Sequence, residues 1–460
     1  MKKFWLILLS LGLVMAFSAS AFAVDVKVSG EYYAAGMYLN KVHLKHSKGG
    51  ADYTNPSTAF YFQRLRVGTD FIVSPCLKLV TRFDAMERIW GGQRSGYGGK
   101  DDDDDYDPRS AGTRAENENI AFDLVYIDYT APIGQFRVGY QKESTWGTIF
   151  GNNGEATPTG QIRYDNTFGA FSVVAMIAKM TDYSYSAVTS ASSTDQDYDS
   201  YRVGGVYKFK NDKVNGEAGV LLIYGRDATN KPGSDYITRA YTVNPYFKTA
   251  IGPVALQGEG FYTFGDAEDY ESPTSTDVKI DAWRVFLDAA AKFGIANVGG
   301  SFAWLSGDDP GTSDSLEGYS SAGVDWNPCL IMFNNDVIGY WIGGLSGFKP
   351  ANLAGPMSNA WFAQGRVGVQ PTPQSNVMMS VSWAKADKAP MTTSKGPTPG
   401  TTYGWEVDLV GTYKITNNLT YMLGAGYLFT GDIFKGCDNP GNAHEITNNY
   451  MFINKLTLTF

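Results

Sequence analysis

The feature that most constrains this chain is a two-residue alternation that returns in segment after segment. Val24, Val26, Val28, Gly30 and Tyr32 share one face of the first segment, with Asp25, Lys27, Ser29 and Glu31 on the other. Further on, Arg64, Arg66, Gly68 and Asp70 stand opposite Leu65, Val67, Thr69 and Phe71. Lys78, Arg82, Asp84 and Arg88 stand opposite Leu77, Leu79 and Phe83, and Trp405, Val407, Leu409 and Tyr413 alternate with Glu406, Asp408 and Thr412. Period two over many segments specifies β-strands with one apolar and one polar face.

The connections alternate as well. Short turns rich in Pro, Gly, Asn or Asp fall at 74–76, 132–134, 165–169, 211–215, 252–253, 294–297, 371–376 and 416–418. Between them lie long polar segments at 40–58, 91–118, 141–159, 182–199, 225–235, 265–279, 306–358, 386–401 and 430–447. Eight turns and nine loops join 18 strands. The count falls to 16 if the short 160–164 and the doubly apolar 168–180 are not strands.

Residues 1–23 read as a secretory signal peptide: Lys2 and Lys3, the apolar run Trp5 to Ala16, then a small-residue ending at Ala23. The mature part, 24–460, carries 36 Lys and Arg against 47 acids, a net charge of −11. So acidic an exported chain lacks the basic footprint of a nucleic-acid binder. Three cysteines do not make a disulfide scaffold. His43, His46 and His444 all fall in loops, with no G-x-S-x-G motif, so no catalytic centre is expected. No later apolar run approaches the ~18 residues of a spanning helix. An exported chain without a helical anchor is a large soluble all-β protein or a barrel that crosses with strands of ~9–11 residues. Aromatics at strand ends favour the barrel: Tyr32, Tyr38, Tyr61, Trp90, Tyr140, Tyr207, Tyr224, Tyr262, Trp304, Trp361, Trp383 and Tyr427 suit two interfacial girdles.

The final strand places Phe452, Asn454, Leu456, Leu458 and Phe460 on its outer face. This ending resembles the assembly signal of bacterial outer-membrane proteins, and everything after residue 23 resembles a Gram-negative porin. The resemblance implies an all-β, antiparallel up-and-down transmembrane barrel in the bacterial outer membrane, with short periplasmic turns and long external loops. It further implies a homotrimer with no cofactor, set among lipid and lipopolysaccharide, and inserted by the barrel assembly machinery with Phe460 as signal. In trimeric porins the third loop narrows the lumen. Its equivalent here is 141–159, with Glu143 and Glu155, and the expected basic wall opposite is Arg64, Arg66, Arg82 and Arg137.

The long loops are acidic, which favours cations at the mouth. The run Asp101, Asp102, Asp103, Asp104 and Asp105 could collect loosely held Ca²⁺, although a solvated charge run is the plainer reading. Loop 306–358 is too apolar for bare solvent, with Trp326, Leu330–Phe333, Tyr340 and Trp341. It packs over the mouth, meets a neighbouring subunit, or hides another hairpin. An aromatic track for sugars is the sharper reading. Cys76 lies at the short-turn end, so the topology keeps it from Cys329 and Cys437, and a Cys329–Cys437 bond is the one pairing left open. The function expected is a cation-preferring channel for passive diffusion of ions and small hydrophilic solutes. A substrate-specific channel for sugars or organic acids, and a loop-plugged, partner-binding barrel, remain open.

Overall fold

A computed structural model describes residues 24–46, 55–91, 120–143, 145–153, 158–183, 195–231, 233–319, 321–348, 352–353, 355–389, 400–435 and 445–460. The expected signal peptide, the Asp101–Asp105 run, Glu155, Cys437 and His444 lie outside the described residues.

Eighteen strands form the wall. They are β1 Asp25–Leu39, β2 Thr58–Ser74, β3 Leu77–Ile89, β4 Ile120–Ala131, β5 Gly134–Lys142 and β6 Pro158–Phe168. Next come β7 Phe171–Asp182, β8 Asp197–Lys210, β9 Val214–Asp227, β10 Tyr236–Ile251, β11 Val254–Tyr270 and β12 Val278–Phe293. The last are β13 Ala296–Leu305, β14 Ala360–Val369, β15 Ser375–Lys385, β16 Thr402–Lys414, β17 Leu419–Thr430 and β18 Asn449–Thr459. Each pairs antiparallel with its sequence neighbours, and β1 pairs with β18 from Glu31↔Thr459 to Leu39↔Met451. The sheet therefore closes into a barrel with no free edge. Among the described residues, segment 306–358 holds no additional hairpin. Its two-residue strand Ser315–Leu316 pairs parallel with Lys279 and Ile280 of β12.

The outward faces are apolar and exposed, as at Val26, Val28, Phe122, Ile127, Val203, Leu222, Leu409, Leu423 and Leu458. Burying such a surface requires lipid rather than a protein core. One stretch of girdle runs across five strands as stacked rings: Tyr201 to Tyr224 to Tyr241, then Phe264, Tyr262 and Trp283, with centroids 4.1–6.1 Å apart. On this face Asn454 satisfies its amide by donating to Gly36 O at 3.3 Å. At the seam Gly30 and Phe460 exchange both backbone hydrogen bonds, at 2.8 and 3.0 Å.

The main apolar core lies inside the lumen. Trp326, Ile331, Met332, Phe333, Ile338, Trp341 and Leu345 are buried against inner faces of β11–β18, β1 and β2. Segment 306–358 is thus a plug that enters the barrel rather than a lid across its mouth. It explains a switch in the β1 inner face, which reads Asp25, Lys27, Ser29, Glu31 and then Tyr33, Ala35, Met37, Leu39. The polar half is free of the plug, and the four apolar residues belong to the plug's core.

Candidate functional site

The inner wall from β2 to β8 is built differently. Arg66 on β2 donates to both oxygens of Asp84 on β3, at 2.6 and 2.7 Å. Arg82 on β3 reaches Asp123 on β4 at 2.5 Å, and Arg64 lies 3.5 Å from Glu87. Arg137 on β5 sits 3.8 Å from Asp128 and 3.7 Å from Asp165, while Arg163 on β6 holds Asp165 at 2.7 Å. Period-two strands bring these groups side by side, so each guanidinium meets a carboxylate two positions along its own strand or on an adjacent strand. The sequence expectation set the arginines against loop acids across the lumen. In the structure wall acids on the same or neighbouring strands partner them, and Glu155 lies outside the described residues.

Glu143 pairs with Arg202 of β8 at 2.6 Å, and the same guanidinium donates to its backbone oxygen at 3.2 Å. Arg163 also donates to Thr145 Oγ1, so two arginines hold the root of this loop. From there the chain turns into the lumen. Trp146 buries itself against Val174 and Met176 of β7, Leu221 and Tyr246. This accounts for the apolar inner face of β7 seen in the sequence. Thr148 donates through its backbone N–H (2.9 Å) and hydroxyl (2.6 Å) to Glu259 Oε2 on β11, while Asn244 donates to Oε1 at 3.1 Å. Phe150 is fully buried, stacked on Phe286 at 4.9 Å and edge-on to Trp326 at 5.0 Å.

The two inserted loops are joined. Gly323 N–H donates to Phe150 O (2.7 Å), Asp325 N–H to Asn152 O (3.2 Å), and Val324 N–H to Asn153 Oδ1 (3.0 Å). A Cβ on Gly323 would stand 2.1 Å from Asn152 O, so only glycine permits this approach. Arg284 of β12 lies over the Phe261 ring at 3.7 Å and donates to Ser321 O, close to the same junction.

On the far wall the plug is gripped by β16. Glu406 accepts from Ile331 N–H at 2.7 Å and Met332 N–H at 2.6 Å, and Asp408 accepts from Leu330 N–H at 3.3 Å. Neither Glu259 nor this carboxylate pair is identifiable as an anchor from the sequence. The one trace was their inward register. The structure brings together Arg64, Arg66, Arg82 and Arg137 on one wall, and places Glu143 beside that wall at its β8 end.

The cysteine expectations divide. Cys76 is a free, exposed thiol in the β2–β3 turn. Cys329 is also a free thiol, buried at the foot of the plug beside the β16 carboxylates, and Cys437, the partner considered for it, lies outside the described residues. Phe460 sits at the β1–β18 seam, and a Cβ on Gly30 would collide with its ring, so the glycine makes its place. His46 lies 3.7 Å from Glu445, and His43 N–H donates to Asn55, within the loop cluster at the mouth.

No family profile matches the sequence, and no curated protein does. Solved structures do match over nearly the whole length. OccK9 (OpdG) of Pseudomonas aeruginosa superposes with a TM-score of 0.52 at 12% identity, covering 95% of this chain and 99% of that one. The chain has the porin fold. OccK2 (OpdF) of the same organism, in complex with glucuronate, matches with a TM-score of 0.52 at 11% identity over 96% and 99% of the two chains. OpdQ, also from Pseudomonas aeruginosa, matches with 0.51 at 12% identity over 95% and 97%. The free space in this barrel's lumen depends on what its two inserted loops leave open.

Proposed function

We propose that this chain is a bacterial outer-membrane channel that carries small hydrophilic solutes along its β2–β8 wall. One observation supports this above the rest: the inner surface is divided. A charged ladder of Arg64, Arg66, Arg82, Arg137, Arg163 and Arg202 with their acids occupies one side, and an apolar plug covers the other at the long-loop end. Water and solute follow the charged side. Glu143 and Arg202, where the third loop leaves that wall, are the candidate constriction, with Glu155 as the further acid expected there. The acidic loops add a cation preference by concentrating cations at the mouth.

A second reading has its own support. Two loops docked on each other occupy part of the lumen, and guanidinium groups bind carboxylates in bidentate fashion. A substrate-selective channel for carboxylated solutes follows, with arginines exchanging a wall acid for a solute acid. The OccK2 structure is a complex with glucuronate, which makes glucuronate the first solute to try.

Planar-bilayer recording separates these readings. A reversal potential of cation-selective sign with no solute block supports the diffusion channel. Saturable block by glucuronate and not by glucose supports the selective one. A barrel with no conductance at all rejects both and favours a plugged, partner-binding barrel.

A further inference from the structure

At the foot of the plug three ligating side chains converge. Cys329, Glu406 and Asp408 place their Sγ and carboxylate oxygens within 4.8 Å of one another. All three are buried, with exposures of 4, 0 and 3%. Glu406 already accepts two plug N–H groups, one on each oxygen. Asp408 accepts through Oδ2 from Leu330 N–H at 3.3 Å and Ser380 Oγ at 3.5 Å and lies against the Glu406 carboxyl, while its buried Oδ1 has no protein N–H or hydroxyl donor. No Lys or Arg among the described residues forms an ion pair with either carboxylate. A buried polar atom is normally paired, and an unpaired buried carboxylate is among the costliest groups a fold can hold. Gly426, opposite Asp408 on β17, keeps the space open, since a Cβ there would stand 2.7 Å from the orphan Oδ1.

We propose that Cys329, Glu406 and Asp408 form a divalent-metal site that clasps the plug to the barrel wall. The donor set is one sulfur and two carboxylates. Sulfur disfavours Ca²⁺ and Mg²⁺, which take oxygen ligands, and suits Zn²⁺. The ion offsets two of the three negative charges of a thiolate and two carboxylates, and gives the orphan oxygen a partner. Sulfur enters as thiolate, so binding releases the thiol proton to solvent, with no change of oxidation state. One ligand belongs to the plug and two belong to β16, so occupancy links the two bodies covalently in all but name. The proposal does not depend on the transport reading, because its readout is bound metal.

The test uses the full barrel refolded in detergent in metal-free buffer, exposed to Zn²⁺, dialysed, and assayed by elemental mass spectrometry. One Zn²⁺ per chain is expected, with affinity falling about tenfold or more in Cys329→Ser and in Asp408→Asn. Co²⁺ in place of Zn²⁺ should give a near-ultraviolet thiolate-to-cobalt band in the wild type and none in Cys329→Ser. If Asp408→Asn fails to give a heat-modifiable barrel, the cobalt spectrum of Cys329→Ser decides alone. A folded wild-type barrel that keeps no Zn²⁺ and shows no cobalt–thiolate band overturns the site, and so does Zn²⁺ retention by both variants equal to that of the wild type.

Discussion

The two halves of the inner wall solve the same problem in opposite ways. From β2 to β6, and again on β8, charged inward residues neutralise one another along and across the strands, while the apolar inner face of β7 is covered by Trp146. From β11 round to β1 the inward residues near the long-loop end are apolar, and the chain covers them with its own plug. Phe286, Phe362, Leu305 and Leu428 are fully or almost fully buried there, although each lies on the lumen face of a barrel. The difference shows that a barrel's interior need not be uniformly aqueous. One sector stays charged, the path we propose for solutes, and another serves as a conventional hydrophobic core.

The strongest way to break this comparison is to delete residues 324–345. If the plug is what closes the β11–β1 side, single-channel conductance should rise several-fold. An unchanged conductance would mean that solutes never passed beside it. Next in size is Phe362→Ala, which removes a ring packed against Trp326 and Phe333. Truncating a fully buried Phe costs about 3–5 kcal/mol. Amide hydrogen exchange should quicken across the described parts of 322–345 and leave β2–β8 unaltered. Faster exchange in both sectors would reject their independence.

Selectivity sharpens the same contrast. Arg66→Ala leaves Asp84 uncompensated on the conducting side, so the reversal potential should move toward cations. Arg366→Ala removes a guanidinium paired to Asp288 at 2.7 Å on the plugged side and should move it less. Equal shifts would place both residues on the path.

The smallest effect is expected at the rim, where Lys388 donates to Asp309 at 2.7 Å. This bond, with the Gly311 N–H, holds the Asp309 carboxyl below its usual value. A depressed carboxyl contributes stability above the unfolded pKa of about 4, and the contribution is lost as pH falls through the lower folded value. Lys388→Ala should leave conductance at neutral pH unchanged. It should also abolish any extra protection that exchange measurements find in 307–318 between pH 5 and pH 3, roughly the range in which Asp titrates.

Strand number and hairpin positions were legible because both are local. Alternation and turn residues act within about ten positions, and all 18 strands follow from them. The inward side of Arg64, Arg66, Arg82 and Arg137 was legible for the same reason. The plug was half legible. Its apolarity was plain, and so was the doubly apolar β7, but the sequence does not say which surface an apolar loop will cover. The anchors were hidden for a different reason. Glu406 binds backbone N–H groups of Ile331 and Met332, and Glu259 binds that of Thr148, and a main-chain donor leaves no mark on sequence. Asp84 and Asp123 were visible as neighbours of the arginines, but their pairing depends on inter-strand register.

The plug also touches both ends of the chain. Trp341 packs on Phe62 at 4.6 Å, Leu44 N–H donates to Ser346 O at 3.1 Å, and Met451 and Ile453 of the last strand join the same core. These surfaces become neighbours only when the first and last strands meet. The finished core therefore spans the seam at which the barrel closes, so plug and closure stabilise one another: a substitution that loosens the plug also weakens the hold between the first and last strands.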